Sequence, residues 1–244
     1  MIRSGLLLTI WLLTTTAVCA NEIRIAVASN FIDAARQLAS GFETESGHHV
    51  VLISGATGKL YAQIRNGAPF DAFFAADVER PRLLEQESRI VAGSRFTYAI
   101  GKLILWSPRT DLVDPQGQVL HSDHFRFLAV ANPLLAPYGR AARQVLEHLG
   151  LQDTLRRRMV RGENIGQTFQ FVKSGNAQLG FVAASQIHRD GNGGSSWKPP
   201  RTLYDPIEQQ AVLLRENPAT QDFLDYVRSS KAQKVIRSIG YDVP

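Results

Sequence analysis

Glycines and small polar residues gather at four places where a predicted strand gives way to a predicted helix. Two of these turns come early, Ser29-Asn30 and Ser54–Gly58, and two come later, Ala136–Gly139 and Glu163–Gly166. The first N–H groups of a helix have no partner within the helix, and the helix dipole adds partial positive charge there. Several such ends around one crevice would form an anion site built without charged side chains.

Each turn also has a simpler interpretation. Ser29, Asn30 or Thr57 alone is more typical of a helix N-cap than of a ligand contact. Tyr138 could be a half-buried wall residue, and Ile165 is typical of a core and could contact an anion only through its amide. The prediction of an anion site therefore depends on the four turns taken together.

Other chemistries have less support. Gly58-Lys59 resembles part of a phosphate-binding P-loop, but Ile53 stands where that motif has glycine, and Leu60 stands where it has Ser or Thr. Asp71 and Asp77 flank a predicted strand and form a candidate carboxylate pair, although turn and capping roles explain them more simply. We predict no enzyme and no catalytic residue. A secreted enzyme that uses Asp71, Asp77 or a histidine is the remote alternative.

The turns need a scaffold that brings them to one edge. Short apolar strands alternate with helical patterns, beginning with the strand Ile23–Ala28. This order predicts an α/β fold with parallel sheets, in which the turns after the strands share the carboxyl edge. The polar, glycine-rich stretch 189–200 predicts a surface loop.

A change of pattern predicts two lobes. It occurs near Ala99-Ile100 and again near residues 203–206, where the chain is expected to cross between lobes as a two-strand hinge. Lobe one then comprises residues 21–99 plus 204–244, and lobe two comprises residues 100–203. Such a layout suits hinge closure around a ligand.

Composition excludes several classes of protein. Of 244 residues, 44% are hydrophobic and 20% are charged, which indicates a packed core rather than a disordered chain. One cysteine excludes a disulfide framework and a cysteine-based zinc site. The net charge is +5, but the basic run Arg156–Arg158 is short, so we predict no nucleic-acid partner.

The first twenty residues have the pattern of a secretory signal peptide. Arg3 is followed by the short apolar run Gly5–Leu13 and by small residues that suit cleavage after Ala20. Cys19 also invites a lipoprotein interpretation, but Val18 does not fit the lipidation motif. We predict an exported, periplasmic protein that begins at residue 21.

At these turns the chain resembles the periplasmic molybdate-binding proteins of ABC importers. The matching stretches are AVASNF (26–31), SGATGKLYAQI (54–64), GAPFDAFFAAD (67–77), APYGRAA (136–142), GENIGQ (162–167) and LGFVAASQ (179–186), and the closing YVRSSKAQKVIRSIGY is similar as well. The resemblance covers nearly the whole mature chain.

The resemblance implies a type II periplasmic binding fold that holds molybdate or tungstate between two lobes. Ser29 and Thr57 would donate hydroxyl and amide hydrogens, and Tyr138 and Ile165 would donate backbone amides. The only metal would be the one inside the oxyanion, and no cofactor is implied. The implied partner is a membrane ABC permease, and the protein is expected to be a monomer.

One donor of the family pattern is missing. Some members use a tyrosine hydroxyl where this chain has Ala183. Asn30 directly follows Ser29, as in other members, and is our candidate for the replacement donor. Asp33 and Glu163 lie close to the site in sequence, and we expect both to point away from it.

The donors also suggest which oxyanion would fit. Molybdate near pH 7 is a dianion with four acceptor oxygens and no proton, so a site of donors alone can satisfy it. Phosphate keeps a proton and needs an acceptor. Sulfate has the same charge and shape but is smaller, so its rejection depends on cavity size. A binding protein for sulfate or another tetrahedral oxyanion is therefore the alternative.

Overall fold

A computed structural model describes residues 21–189 and 193–244. The predicted signal peptide, residues 1–20, lies outside the described residues. In chain order the strands are β1 (Glu22–Ala28), β2 (His49–Gly55), β3 (Ala72–Phe74), β4 (Phe96–Gly101), β5 (Leu103–Ser107), β6 (Leu128–Ala131), β7 (Met159–Gly162), β8 (Leu179–Ala183), β9 (Ser195–Trp197) and β10 (Ile207–Leu213).

Helices connect these strands and cover the sheets. They are α1 (Ile32–Ser46), α2 (Thr57–Arg65), α3 (Glu79–Gln86), α4 (Pro137–His148), α5 (Gln152–Leu155), α6 (Ile165–Lys173), α7 (Ala184–Arg189), α8 (Pro218–Arg228) and α9 (Ser230–Ser238), with short 3₁₀ turns at Gln118–His121, Arg156–Arg158 and Arg201–Leu203. No helix in the described part of the chain is both long and apolar enough to cross a bilayer.

The strands form two five-stranded sheets, ordered β2-β1-β3-β10-β4 and β7-β6-β8-β5-β9. The predicted α/β class is confirmed, and three adjacent strands in each sheet run parallel. The other two strands of each sheet are antiparallel to their neighbours, which the strand–helix order did not predict. These are the strands next to the crossings between the sheets: β4 and β9 run toward the edge where the sheets meet, and β5 and β10 enter the other sheet at that edge and run away from it, opposite to the parallel strands.

The chain passes between the sheets at two places. Only Lys102 separates β4 of the first sheet from β5 of the second, and residues 198–206 return the chain from β9 to β10. The division into lobes at 21–99 plus 204–244 and 100–203 remains a prediction. In the first sheet, β4 extends to Gly101.

Both faces of each sheet are buried. In the first sheet, Ile25 and Phe74 pack with α1, α8 and α9 on one face, and Ala26 and Phe73 pack with α2 and α3 on the other. In the second sheet the smaller face carries Trp106 against α6. Burial of a large apolar side chain contributes about 1.5–3 kcal/mol, so these layers hold the strand ends in place.

The predicted surface loop at 189–200 is corrected in one part. Ser195–Trp197 forms strand β9, which pairs with the edge of β5. Trp197 is buried in the core of the second sheet. This strand depends on a partner about ninety residues earlier in the chain, so a local glycine-rich pattern could not reveal it. Residues 190–192 lie outside the described residues.

Candidate functional site

One cavity lies where the carboxyl edges of the two sheets meet. Its lining residues come from all four predicted turns and from Ala76 after β3: Ala28, Ser29, Asn30, Gly55, Ala56, Thr57, Ala76, Ala136, Pro137, Tyr138, Asn164 and Ile165. The structure thus brings together all five residues that the sequence singled out.

Two hydroxyl groups reach this cavity from the first sheet. Ser29 follows β1, and its Oγ accepts the N–H of Gly166 at 3.3 Å. Thr57 begins α2, and its Oγ1 accepts the N–H of Ala76 at 3.2 Å. Neither hydroxyl donates to any residue in the described ranges, so each keeps a hydrogen for a ligand.

Three helix N-termini point backbone donors at the same space. The N–H groups of Thr57, Tyr138 and Ile165, in the first turns of α2, α4 and α6, have no hydrogen-bond partner among residues 21–189 and 193–244. The residues before α2 and α4 are Ala56 and Ala136, whose methyl groups cannot cap a helix. An alanine in place of a capping residue costs about 0.5–2 kcal/mol, which an anion at these N–H groups would offset.

The side chain and the backbone of Tyr138 have different roles. Its ring turns away from the cavity, and its hydroxyl accepts from Nε2 of Gln209 at 3.3 Å. A Cβ atom at Gly101, the last residue of β4, would lie 2.2 Å from that hydroxyl, so glycine is required there for the close approach. Burial raises the pKa of the Tyr138 hydroxyl well above its ordinary value. Only the backbone of Tyr138 is therefore available to a ligand.

Asn30 lines the cavity, but its side chain is committed elsewhere. Its Nδ2 donates to Oε1 of Gln209 at 2.7 Å and to the hydroxyl of Tyr241 at 3.1 Å, which uses both side-chain hydrogens. Its backbone N–H has no partner in the part of the chain that the structure describes. If Asn30 donates to an anion, it does so through this N–H.

The cavity wall is electrically neutral. Its lining, taken over the described residues, includes no Asp, Glu, Lys or Arg. Glu163 forms an ion pair with Lys59 at 2.7 Å, and Asp33 pairs with Arg36 at 2.9 Å, so neither carboxylate enters the cavity wall. Within the described ranges, no cluster of three or more His, Cys, Asp or Glu residues could hold a metal ion.

Asp71 and Asp77, the candidate carboxylate pair, have separate partners and do not contact each other. Asp71 accepts from the backbone N–H of Arg24 and from the Arg215 guanidinium, both at 2.6 Å. Asp77 lies beyond the other end of β3 and pairs with Arg80 at 2.5 Å. Burial raises the pKa of Asp77, and the Arg80 guanidinium opposes that shift. Both carboxylates thus serve turns and ion pairs.

The two sheets are closed over the cavity by contacts between their helices. The N–H of Gly58, in α2, donates to the carbonyl of Leu135, just before α4, at 2.9 Å. The Lys59–Glu163 pair joins α2 to the turn before α6, and Arg140 of α4 pairs with Glu79 of α3 at 2.8 Å. Both ion pairs are partly exposed, so each contributes about 0–1 kcal/mol.

A bulky residue at Gly58 is expected to oppose closure. A Cβ atom there would lie 3.2 Å from both Cα and O of Leu135, which is tighter than an ordinary contact. Overpacking costs about 1–3 kcal/mol, so Gly58→Val should weaken anion binding by about 5- to 150-fold in calorimetry. Lys59→Ala, the control one residue away, should change affinity by less than about fivefold. Equal affinities for the parent and Gly58→Val would contradict the closure argument.

Sequence reasoning missed a buried polar network behind the site. Gln209 in β10 is fully buried and joins Asn30, Tyr98 and Tyr138. Tyr241, near the C-terminus, is also buried and contacts Asn30. The available signal was the polar run Glu208–Gln210, which extends into the apolar residues of strand β10.

Comparisons with known proteins identify the family. Residues 23–242 match the family model described as bacterial extracellular solute-binding protein. The chain is 50% identical over 234 residues to the molybdate-binding protein ModA of Azotobacter vinelandii, covering 94% of this chain and 93% of that protein. It is 44% identical over 225 residues to ModA of Rhodobacter capsulatus, covering 91% and 88%.

Solved structures give the same result. The periplasmic molybdate-binding protein of A. vinelandii superposes with a TM-score of 0.88 at 44% identity, over 91% of this chain and 99% of that chain, which confirms the type II binding fold. The sulfate-binding protein SubI of Mycobacterium tuberculosis, at a TM-score of 0.74 and 12% identity over 91% of this chain and 87% of that one, shares the fold alone. This chain therefore belongs to the bacterial extracellular solute-binding proteins and, within them, to the ModA family of molybdate-binding proteins.

Proposed function

We propose that this protein captures molybdate, and also tungstate, between its two lobes and delivers it to a membrane ABC permease. The single observation that carries the proposal is the neutral cavity, in which two hydroxyl hydrogens and several N–H groups without a partner among the described residues converge. Such a wall offers hydrogens to an anion, and its lining, taken over the described residues, includes no carboxylate, histidine or lysine that could activate the Ser29 or Thr57 hydroxyl as a nucleophile. Binding without catalysis is the function that these groups support.

The donors distinguish among oxyanions by protonation. Molybdate carries two negative charges and no proton near neutral pH, so every oxygen accepts. A protonated phosphate would place an O–H against Ser29, Thr57 or an N–H group, and the lining offers it no carboxylate to accept that hydrogen. A buried donor without an acceptor costs about 1–3 kcal/mol, which disfavours phosphate.

Sulfate is distinguished by size. It has the charge and shape of molybdate but is smaller, so it would leave some of the donors on the two sheets at stretched distances. The contacts that close the sheets, including Gly58 to Leu135, limit how far the donors can move inward. Stretched hydrogen bonds to the smaller ion should lower its affinity.

The remaining parts of the proposal concern location and partners. Residues 1–20 would direct export to the periplasm and be removed after Ala20, and the mature chain would work as a monomer. Closure around the ion would present a surface made jointly by both lobes to the permease. The relatives named molybdate-binding protein support this assignment.

Calorimetry on residues 21–244 tests the proposal. We expect molybdate and tungstate to bind at least about 100-fold more tightly than sulfate or phosphate, a difference of about 2.7 kcal/mol. Tight sulfate binding with weak molybdate binding would support the sulfate alternative instead. The absence of heat with all four anions would contradict an oxyanion-binding function.

A further inference from the structure

Asn30 is held more firmly than a simple helix cap would require. Its carbonyl oxygen accepts the Tyr241 hydroxyl at 2.7 Å, and its side chain donates to Tyr241 and Gln209. On either side of it, the N–H of Ser29 is bound to Gly55 at 3.0 Å and that of Phe31 to Ala28 at 2.9 Å. The Asn30 N–H is therefore the unbonded amide in a segment whose other groups are fixed.

Tyr241 reaches this segment from the C-terminal end of the chain. Its ring is 3% exposed and packs edge-on against Phe31, with ring centroids 5.5 Å apart. Asp242, the next residue, forms two backbone hydrogen bonds with Ile100 in β4, at 2.7 and 3.1 Å. The hydroxyl is thus presented by a rigid part of the first sheet.

The same hydroxyl also contacts the second sheet. Ser185 in α7, directly after β8, donates its Oγ hydrogen to the Tyr241 oxygen at 3.0 Å. Ser185 stands two residues after Ala183, where some relatives were expected to have a tyrosine donor. Burial raises the pKa of the Tyr241 hydroxyl, so the group stays protonated and keeps donating to Asn30.

We propose that Tyr241 is a positioning residue for anion binding: its hydroxyl, braced by Ser185 of the opposite sheet, fixes Asn30 so that the Asn30 backbone N–H points at the bound oxyanion. This inference rests on the proposed function. In this chain a backbone donor held by a distant tyrosine takes the place of a tyrosine donor at position 183. Because Ser185 follows β8 of the second sheet and Asn30 follows β1 of the first, the arrangement is complete only when the sheets are closed.

The test compares Tyr241→Phe with the parent, using sodium molybdate in calorimetry and amide ¹H–¹⁵N spectra. Tyr241→Phe keeps the ring against Phe31 and removes only the hydroxyl. We expect molybdate affinity to fall about tenfold, and the binding-induced shift of the Asn30 amide to shrink while that of Ile165 is retained. Tyr204→Phe is the matched control, because it removes another buried hydroxyl, one that accepts from Leu103 at 3.4 Å. It should leave both readouts unchanged.

A second variant covers the case in which Tyr241→Phe fails to fold. Ser185→Ala removes the hydrogen bond to Tyr241 and a longer contact, at 3.5 Å, with the Asn30 carbonyl, and it should give a smaller loss of affinity with the same change at Asn30. An unchanged Asn30 shift in the variants, whatever their affinity, would overturn the inference, since a merely structural role would not single out that amide. If the parent binds no molybdate, both the proposed function and this inference are contradicted. If the parent binds molybdate and Tyr241→Phe binds it equally tightly, the inference is contradicted and the proposed function is not.

Discussion

Replacing Ala136 with aspartate is expected to abolish anion capture without unfolding the protein. Ala136 precedes α4 with extended backbone angles, φ −123° and ψ 122°, which is the geometry of a capping residue. An aspartate there would accept the free N–H of Tyr138 and complete the helix cap. It would also place a negative charge at the wall of a neutral cavity that Ala136 lines.

The expected loss is large. Two unit charges about 4 Å apart repel by about 4 kcal/mol at an effective dielectric constant of about 20, so Ala136→Asp should lower molybdate affinity by at least about 1000-fold in calorimetry. The melting temperature should stay within about 3 °C of the parent's, because the new cap offsets the cost of burying the carboxylate.

An isosteric control separates charge from shape. The asparagine of Ala136→Asn has nearly the same volume as the aspartate and can also cap the helix, but it carries no charge. It should weaken binding far less than Ala136→Asp. If the two variants bind molybdate equally, charge repulsion does not cause the loss of affinity, and the neutrality of the wall is not required for binding of the dianion.

Removing both hydroxyls is the second change with a large expected effect. Ser29→Ala and Thr57→Ala each delete a donor whose oxygen is already held by a backbone N–H, from Gly166 or Ala76. A hydrogen bond to a charged group contributes about 1.5–3 kcal/mol, so each variant should lose about 10- to 150-fold in affinity. The double variant should lose more than either one, although neighbouring sites need not be additive.

Thr44→Ala provides the matched control for this experiment. The Thr44 hydroxyl donates to the carbonyl of Ser40 on the exposed face of α1, away from the cavity. Its removal should leave affinity unchanged. Wild-type affinity in the Ser29 and Thr57 double variant would exclude both hydroxyls from the site and would leave the helix N-termini as the remaining donors.

The local sequence predicted the parts of the site that depend on neighbouring residues. Four strand–helix turns were visible because strands, glycines and helix starts leave short-range patterns. The α/β class followed from the same alternation. The antiparallel direction of β5 and β10 did not follow from this alternation, because strand direction in a sheet depends on where the chain crosses between lobes. Strand β9 was missed because it is three residues long and is stabilised by pairing with β5.

Taken alone, the sequence identified which turns can offer hydrogens to an anion, and it predicted no carboxylate at the contact positions of those turns. The tertiary structure decided which atoms of those residues remain available. It turned the Tyr138 ring toward Gly101, and it used the Asn30 side chain to bind Gln209 and Tyr241, which lie 179 and 211 residues further along the chain. Contacts over such distances arise only when the packed sheets bring the segments together, because a hydrogen bond depends on position in space and leaves no periodic trace in the sequence.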